Sequence, residues 1–176
     1  FFFKQKTAYE ISTRDWSSDV CSSDLTLNLD LKEIRVRYIE IQRKGHPDLV
    51  GDGVEGSIEA IELANRYYEA LQSPRGIVKL YLEAMHAIDL NQNRLPTDFL
   101  MEMMSLNDEI DQKHAGNEEA GSKAQSMLDE AEMDLTNALN ELKSTQTPPL
   151  DALIEWYQKS KYLDRLRKNF LGIEEI

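Results

Sequence analysis

Residues 97–144 read TDFLMEMMSLNDEIDQKHAGNEEAGSKAQSMLDEAEMDLTNALNELKS, and the spacing of their apolar side chains decides the fold class. Thr97 caps a helix in which Phe99, Met103, Leu106 and Ile110 recur at intervals of four and three, the repeat of a single helix face. Gly116 and Asn117 interrupt it. Beyond them Ala124, Leu128, Ala131, Leu135, Ala138 and Leu142 make an unbroken heptad-like seam, and the alternation of Ala with Leu permits close antiparallel approach. Pro148-Pro149 stop that helix. A last helix over about Leu150 to Leu171 presents Leu153, Trp156, Leu163 and Phe170 along one face, so residues 97–176 are expected to form a three-helix bundle.

Upstream, glycine and proline are few and fall between further periodic stretches. A helix over Asp30 to Lys44 carries Leu31, Ile34, Tyr38 and Ile41 as its apolar stripe, and Gly45 with Pro47 ends it. The polar link Gly51-Asp52-Gly53 leads into a second helix, about Glu55 to Gln72, with Ile58, Ile61, Ala64, Tyr68 and Leu71 as the matching stripe. These two pair as an antiparallel hairpin. Ser73-Pro74 reads as the N-cap and first residue of a third helix, to about His86, because proline there gives up only an amide that would be unbonded anyway. The expected fold is all-α: a helical hairpin, a linking helix and loop over 74–96, and the C-terminal bundle. No internal repeat suggests a solenoid.

Phe1 to Leu25 reads as something other than folded protein. FFFKQKTAYEI back-translates into a thymidine linker followed by a common library adapter, WSSDVCSSDL into the matching read primer, and Ser12-Thr13 fall where an index would sit. The stretch holds Lys4, Lys6 and Arg14 against Glu10, Asp15, Asp19 and Asp24, so of the formal −12 it accounts for −1 and the rest of the chain for −11. That acidity argues against nucleic acid and anionic membranes as partners. Cys21, the single cysteine, also lies in this stretch, leaving no disulfide, redox pair or thiolate metal site downstream. No apolar run approaches the ~18 residues of a membrane span.

The most informative tripeptide is His46-Pro47-Asp48, at the turn between the hairpin helices and preceded by Lys32, Arg35, Arg37, Arg43 and Lys44. Proline holds the preceding residue extended and stiffens the loop, leaving an imidazole and a carboxylate to project. Asp48 is suited to a forked, charge-assisted pair with a partner's arginine, and the cationic helix to steering toward an acidic surface. As an acid–base pair the two residues fail, since neighbours across a rigid proline point apart and a reacting centre needs convergent groups in a cleft. His86 and His114 are isolated, the latter near a helix end where an imidazolium suits the dipole. No catalytic residue, metal site or cofactor is expected.

Four strings, YIEIQRKGHPDLV (38–50), ANRYYEALQSPRGIVKLYLEAM (64–85), DFLMEMMSLNDEID (98–111) and KYLDRLRKNF (161–170), resemble the HscB family of iron–sulfur-cluster co-chaperones in order and spacing. The resemblance implies a J-domain over 26–73 without its first helix, a cytoplasmic location and no enzymatic activity. It further implies that His46, Pro47 and Asp48, with Arg35, Arg43 and Lys44, engage a DnaK-type ATPase chaperone, HscA. The bundle would hold the scaffold protein IscU through Leu100, Met101, Met104, Ser105, Asp108 and Gln112, joined by Tyr162. Gly45 and Leu49 depart from the family's usual bulky residue and lysine beside the tripeptide, and Ser105 and Gln112 stand where glutamates are typical.

Periodicity speaks to the same face independently. Phe99, Met103, Leu106 and Ile110 already complete a core stripe, so Leu100, Met101 and Met104 are surplus, and methionine adapts readily to a partner's contours. A wider buried face touching two neighbouring helices is the competing explanation. A purely structural coiled-coil adaptor is the competing function, because the heptads alone would support it.

Overall fold

The computed structural model describes residues 27–44, 55–85 and 95–173, all helix and connection with no strand among them. Six helices follow in chain order: α1 (Leu31–Lys44), α2 (Glu55–Ala70), α3 (Pro74–Ala84), α4 (Thr97–His114), α5 (Glu118–Ser144) and α6 (Leu150–Leu171). The chain divides into two compact units, residues 1–86 and 87–176. Residues 1–25 lie outside the described residues.

In the first unit Asp30 caps α1, its carboxylate accepting the Lys32 and Glu33 amides at 2.9 and 3.4 Å. Tyr38 stacks on Tyr68 with ring centroids 4.1 Å apart, and the Asn65 side-chain oxygen accepts from the Tyr38 hydroxyl at 2.9 Å and from Gln42 at 2.6 Å. One turn forward on α1 thus meets one turn back on α2, which makes the pair antiparallel. Ile34, Ala64 and Leu71 are buried as the periodicity predicts. Leu31 is 48% exposed. It opens the helix and, at about 100° per residue, lies nearer Arg35 and Gln42 than Ile34 and Ile41, so it falls off the edge of the stripe.

The turn from α2 to α3 is set by Ser73, whose hydroxyl accepts the Gly76 amide at 3.0 Å with Pro74 in the first helical turn. Gly76 is required by space: a Cβ there would lie 1.9 Å from the Ala70 carbonyl oxygen. The α3 helix then buries Ile77, Val78, Tyr81 and Leu82.

In the second unit α4, α5 and α6 run up, down and up around a core of Met103, Leu106, Ile110, Ala124, Leu128, Leu163, Leu166 and Phe170. Pro96, not Thr97, occupies the cap of α4, with no side-chain cap bond. Thr97 is already helical, and Asp98 supplies the first-turn negative charge that the helix dipole favours. One flank of α5 faces α4, where Lys123 pairs with Glu109, and the other faces α6, where Arg167 bonds Asp129 and Glu132 at 2.7 and 2.8 Å.

The expected heptad seam breaks at one position: Ala138 is exposed and Leu139 is buried instead. Length explains it. The 27 residues of α5 span about 40 Å, whereas the 18 residues of α4 span about 27 Å, so the C-terminal third of α5 outruns its antiparallel neighbour. Ala138 points to the flank α4 has vacated, and Leu139 to the flank α6 still covers. There the indole nitrogen of Trp156 donates to the Leu135 carbonyl at 2.7 Å.

The C-termini of α4 and α6 meet at one end. Gly172 (φ 69°) closes α6, its amide bonding the Asn169 carbonyl and that of Ile173 the Lys168 carbonyl, both at 3.0 Å. Lys113 donates to the Phe170 carbonyl, and its ammonium lies 3.8 Å from that residue's ring centroid. His114 Nε2 is 3.0 Å from the Asn169 carbonyl; a carbonyl only accepts, so that nitrogen carries a proton. Two negative dipole ends are thereby compensated by two basic side chains.

Candidate docking face on the bundle

The α4 sequence divides into two opposite sides. Met103, Leu106 and Ile110 are buried at 3% exposure or less, and Phe99 packs against them. Advancing about 100° per residue, Met104, Asp108, Met101, Gln112 and Ser105 all fall on the side facing away from that core, with Leu100 about a quarter-turn from it. Met101 and Met104 are 55% and 65% exposed, while Leu100 is half-buried at the edge of the stripe. A wide buried face therefore does not account for the two methionines.

Ser105 donates to the Met101 carbonyl at 3.3 Å, turned back onto its own helix, and Gln112 accepts a long 3.5 Å contact from Asn117. Asp108 is exposed. Asp111, which no sequence expectation included, falls on the same side about two turns beyond Met104 and accepts from Asn107 at 3.2 Å. Its signal was available in the same helical spacing. With Asp98 one turn before Met101, the outward side is apolar in its first half and carries acids before and after that strip.

Tyr162, the residue expected from α6, lies beside Phe99. Its ring meets Phe99 edge-on at 6.1 Å, packs against the core, and carries the Arg165 guanidinium 5.0 Å above it. It is half-buried and neighbours Phe99 on α4.

On the first unit, Arg35 and Arg43 are exposed on α1, whereas Arg37 is tied to Glu33 one turn back. Lys44 is the last residue of that helix. Val36 and Ile39, which no sequence stripe included, are 57% and 45% exposed and share the side of Lys32, Arg35 and Arg43. The loop residues Gly45, His46, Pro47, Asp48 and Leu49 lie outside the described residues, as does the Gly51-Asp52-Gly53 link.

Among the described residues no group of three or more His, Cys, Asp or Glu side chains could hold a metal ion, and every buried side-chain polar atom has a partner. No described helix is long and apolar enough to cross a membrane.

Residues 95–170 match the family model of the HSCB C-terminal oligomerisation domain, a stretch that takes in all of α4 and α5 and all but the last residue of α6. The bundle is thus similar to the C-terminal domain that this family model describes, an oligomerisation module. No solved structure matches the chain.

Proposed function

We propose that the chain carrying this HscB-type domain is a cytoplasmic co-chaperone of iron–sulfur cluster biogenesis. It stimulates the ATPase of a DnaK-type chaperone, HscA, through His46-Pro47-Asp48, and delivers the scaffold IscU, which carries the cluster as cargo, through the bundle. The observation that carries the reading is the pair Met101 and Met104, left exposed beside a core that is already complete within a bundle that matches this family model. An apolar strip with acids before and after it is suited to a partner surface that is apolar at its centre and basic at its margin.

The hairpin supports the other half of the reading. It displays Arg35 and Arg43 on an acidic protein, along the helix that leads into the tripeptide. A forked bond from a chaperone arginine to Asp48 would order that arginine as well as bind it. Arg35, Arg43 and Lys44 would speed encounter with an acidic chaperone surface.

The test is a steady-state ATPase assay of HscA with IscU and the full chain. Wild type should raise the rate, and Asp48→Asn should abolish the rise while leaving the circular dichroism spectrum unchanged, since losing one partner of a charged interfacial bond costs about 2–5 kcal/mol. Undiminished stimulation by the variant would remove this loop from the mechanism. No stimulation by wild type would leave a helical adaptor without a chaperone partner.

A further inference from the structure

We infer that Met101 and Met104 form a reversible oxidation switch on the docking face, in which a peroxide converts the two thioethers to sulfoxides and releases the scaffold. The inference rests on the proposed scaffold-docking reading of that face. The chain has six methionines, and their surroundings differ sharply. Met101, Met104 and Met133 are 55%, 65% and 59% exposed, Met103 is 3% exposed on the same helix as the first two, and Met85 and Met127 are half-buried. The single cysteine lies at position 21, so the described residues contain no thiol to intercept the oxidant first.

The chemistry balances with one oxidant. A sulfur lone pair attacks one oxygen of hydrogen peroxide, the S–O bond forms as the O–O bond breaks, and proton transfer lets the other oxygen leave as water. Sulfur loses two electrons and the peroxide gains them. The product replaces a flexible apolar side chain with a polar, chiral one, and it is the substrate of methionine sulfoxide reductases, so the step is reversible. On the outward side of α4 the change falls on the two most exposed apolar groups of the face, where a partner must strip water from whatever it covers. Sulfoxidation of Met133, beside Asp129, Glu130 and Asp134 on α5, touches no residue of that face and serves as an internal control.

The experiment uses the full chain, dilute hydrogen peroxide, peptide mapping by mass spectrometry and calorimetric titration with IscU. At partial conversion Met101, Met104 and Met133 should carry most of the added oxygen, with Met103 protected. Scaffold affinity should fall on the order of tenfold or more, the scale of losing an interface hot spot, with the thermal melt little changed. Sulfoxide reductases should restore it. Met101→Leu with Met104→Leu removes both oxidisable sulfurs, so the affinity of this variant for the scaffold, whatever its starting value, should be the same before and after peroxide, whereas Met133→Leu should remain sensitive. Equal oxidation of Met103, undiminished binding by the oxidised chain, or continued sensitivity of the Leu double variant would each overturn the switch. Failure of the untreated wild type to bind the scaffold would instead overturn the docking reading, and the switch with it.

Discussion

Among the described helices, α1 and α4 each expose apolar side chains on one side, and they do so in opposite electrostatic company. On α1, Val36 and Ile39 stand among Lys32, Arg35 and Arg43; on α4, Met101 and Met104 stand between Asp98 and Asp108, with Asp111 further along the same side. The side chains differ in kind as well. Val and Ile are stiff at χ1 and present a fixed surface, whereas methionine bends through three rotatable bonds. Faces of opposite sign and different compliance are poorly matched to one common partner surface. The contrast favours two partners, an acidic one for α1 and a basic one for α4.

The largest effect expected of any change to this contrast comes from crossing from the outer side of α4 to its inner side. Leu106→Ala should destabilise the chain by about 2–5 kcal/mol, because Leu106 is wholly buried and truncation leaves a cavity. The double variant Leu100→Ala, Met104→Ala should lower the melting temperature far less while weakening IscU binding. Thermal melts paired with calorimetry separate the two, and equal melting losses would make the outer side part of the core.

A change in the α1 unit that touches neither exposed face comes next. Gly76→Ala forces a Cβ onto the Ala70 carbonyl, a backbone atom with little room to give, and should cost about 1–3 kcal/mol in urea unfolding. A neutral result would show that the α2–α3 turn relaxes freely.

Charge reversal sharpens the contrast at lower thermodynamic cost. Arg35→Glu with Arg43→Glu should leave stability within about 0.5 kcal/mol per site, since both side chains are exposed. Stimulation of HscA should fall at low salt, with scaffold binding untouched. A loss of scaffold binding instead would merge the two faces.

The smallest effect is set by pH. Hydrogen bonds from Arg167 and Gln125 hold the Asp129 carboxyl below its ordinary value of 3.8. A carboxylate depressed in the folded state stabilises above its unfolded value and loses that contribution as pH falls through the folded one. Asp129→Asn should therefore melt slightly below wild type at pH 7, and the gap should close in acid well below pH 3.8. A gap that persists there would mean the carboxylate's charge is not its source.

How far the sequence disclosed this arrangement depended on the range of the interactions involved. Helix periodicity is local, so the core stripe of α4, the Ser73-Pro74 start of α3 and the buried row Leu153, Trp156, Leu163 and Phe170 were all readable. The surplus of Met101 and Met104 was readable for the same reason, as a remainder after the core was filled. Ala138 misled because its burial depends on where a different helix stops. The edge-on packing of Tyr162 against Phe99 depends on how α6 crosses α4, which no spacing within either helix encodes. Thr97 misled through its chemistry, a good capping side chain standing one position too late. The loop that matters most to the proposed chaperone contact was legible as a motif and lies outside the described residues.

The overhang of α5 makes its two ends unequal in a way that time, not geometry, would reveal. Along its first two thirds the helix is held on both flanks, and along its last third on one. Amide hydrogen exchange follows local opening, which is easiest where buried apolar contacts are few. Protection should therefore decline along this single unbroken helix, from the turn that contains Leu128 toward the turn that contains Leu142. Frayed from that end, α5 would loosen long before the bundle as a whole unfolded.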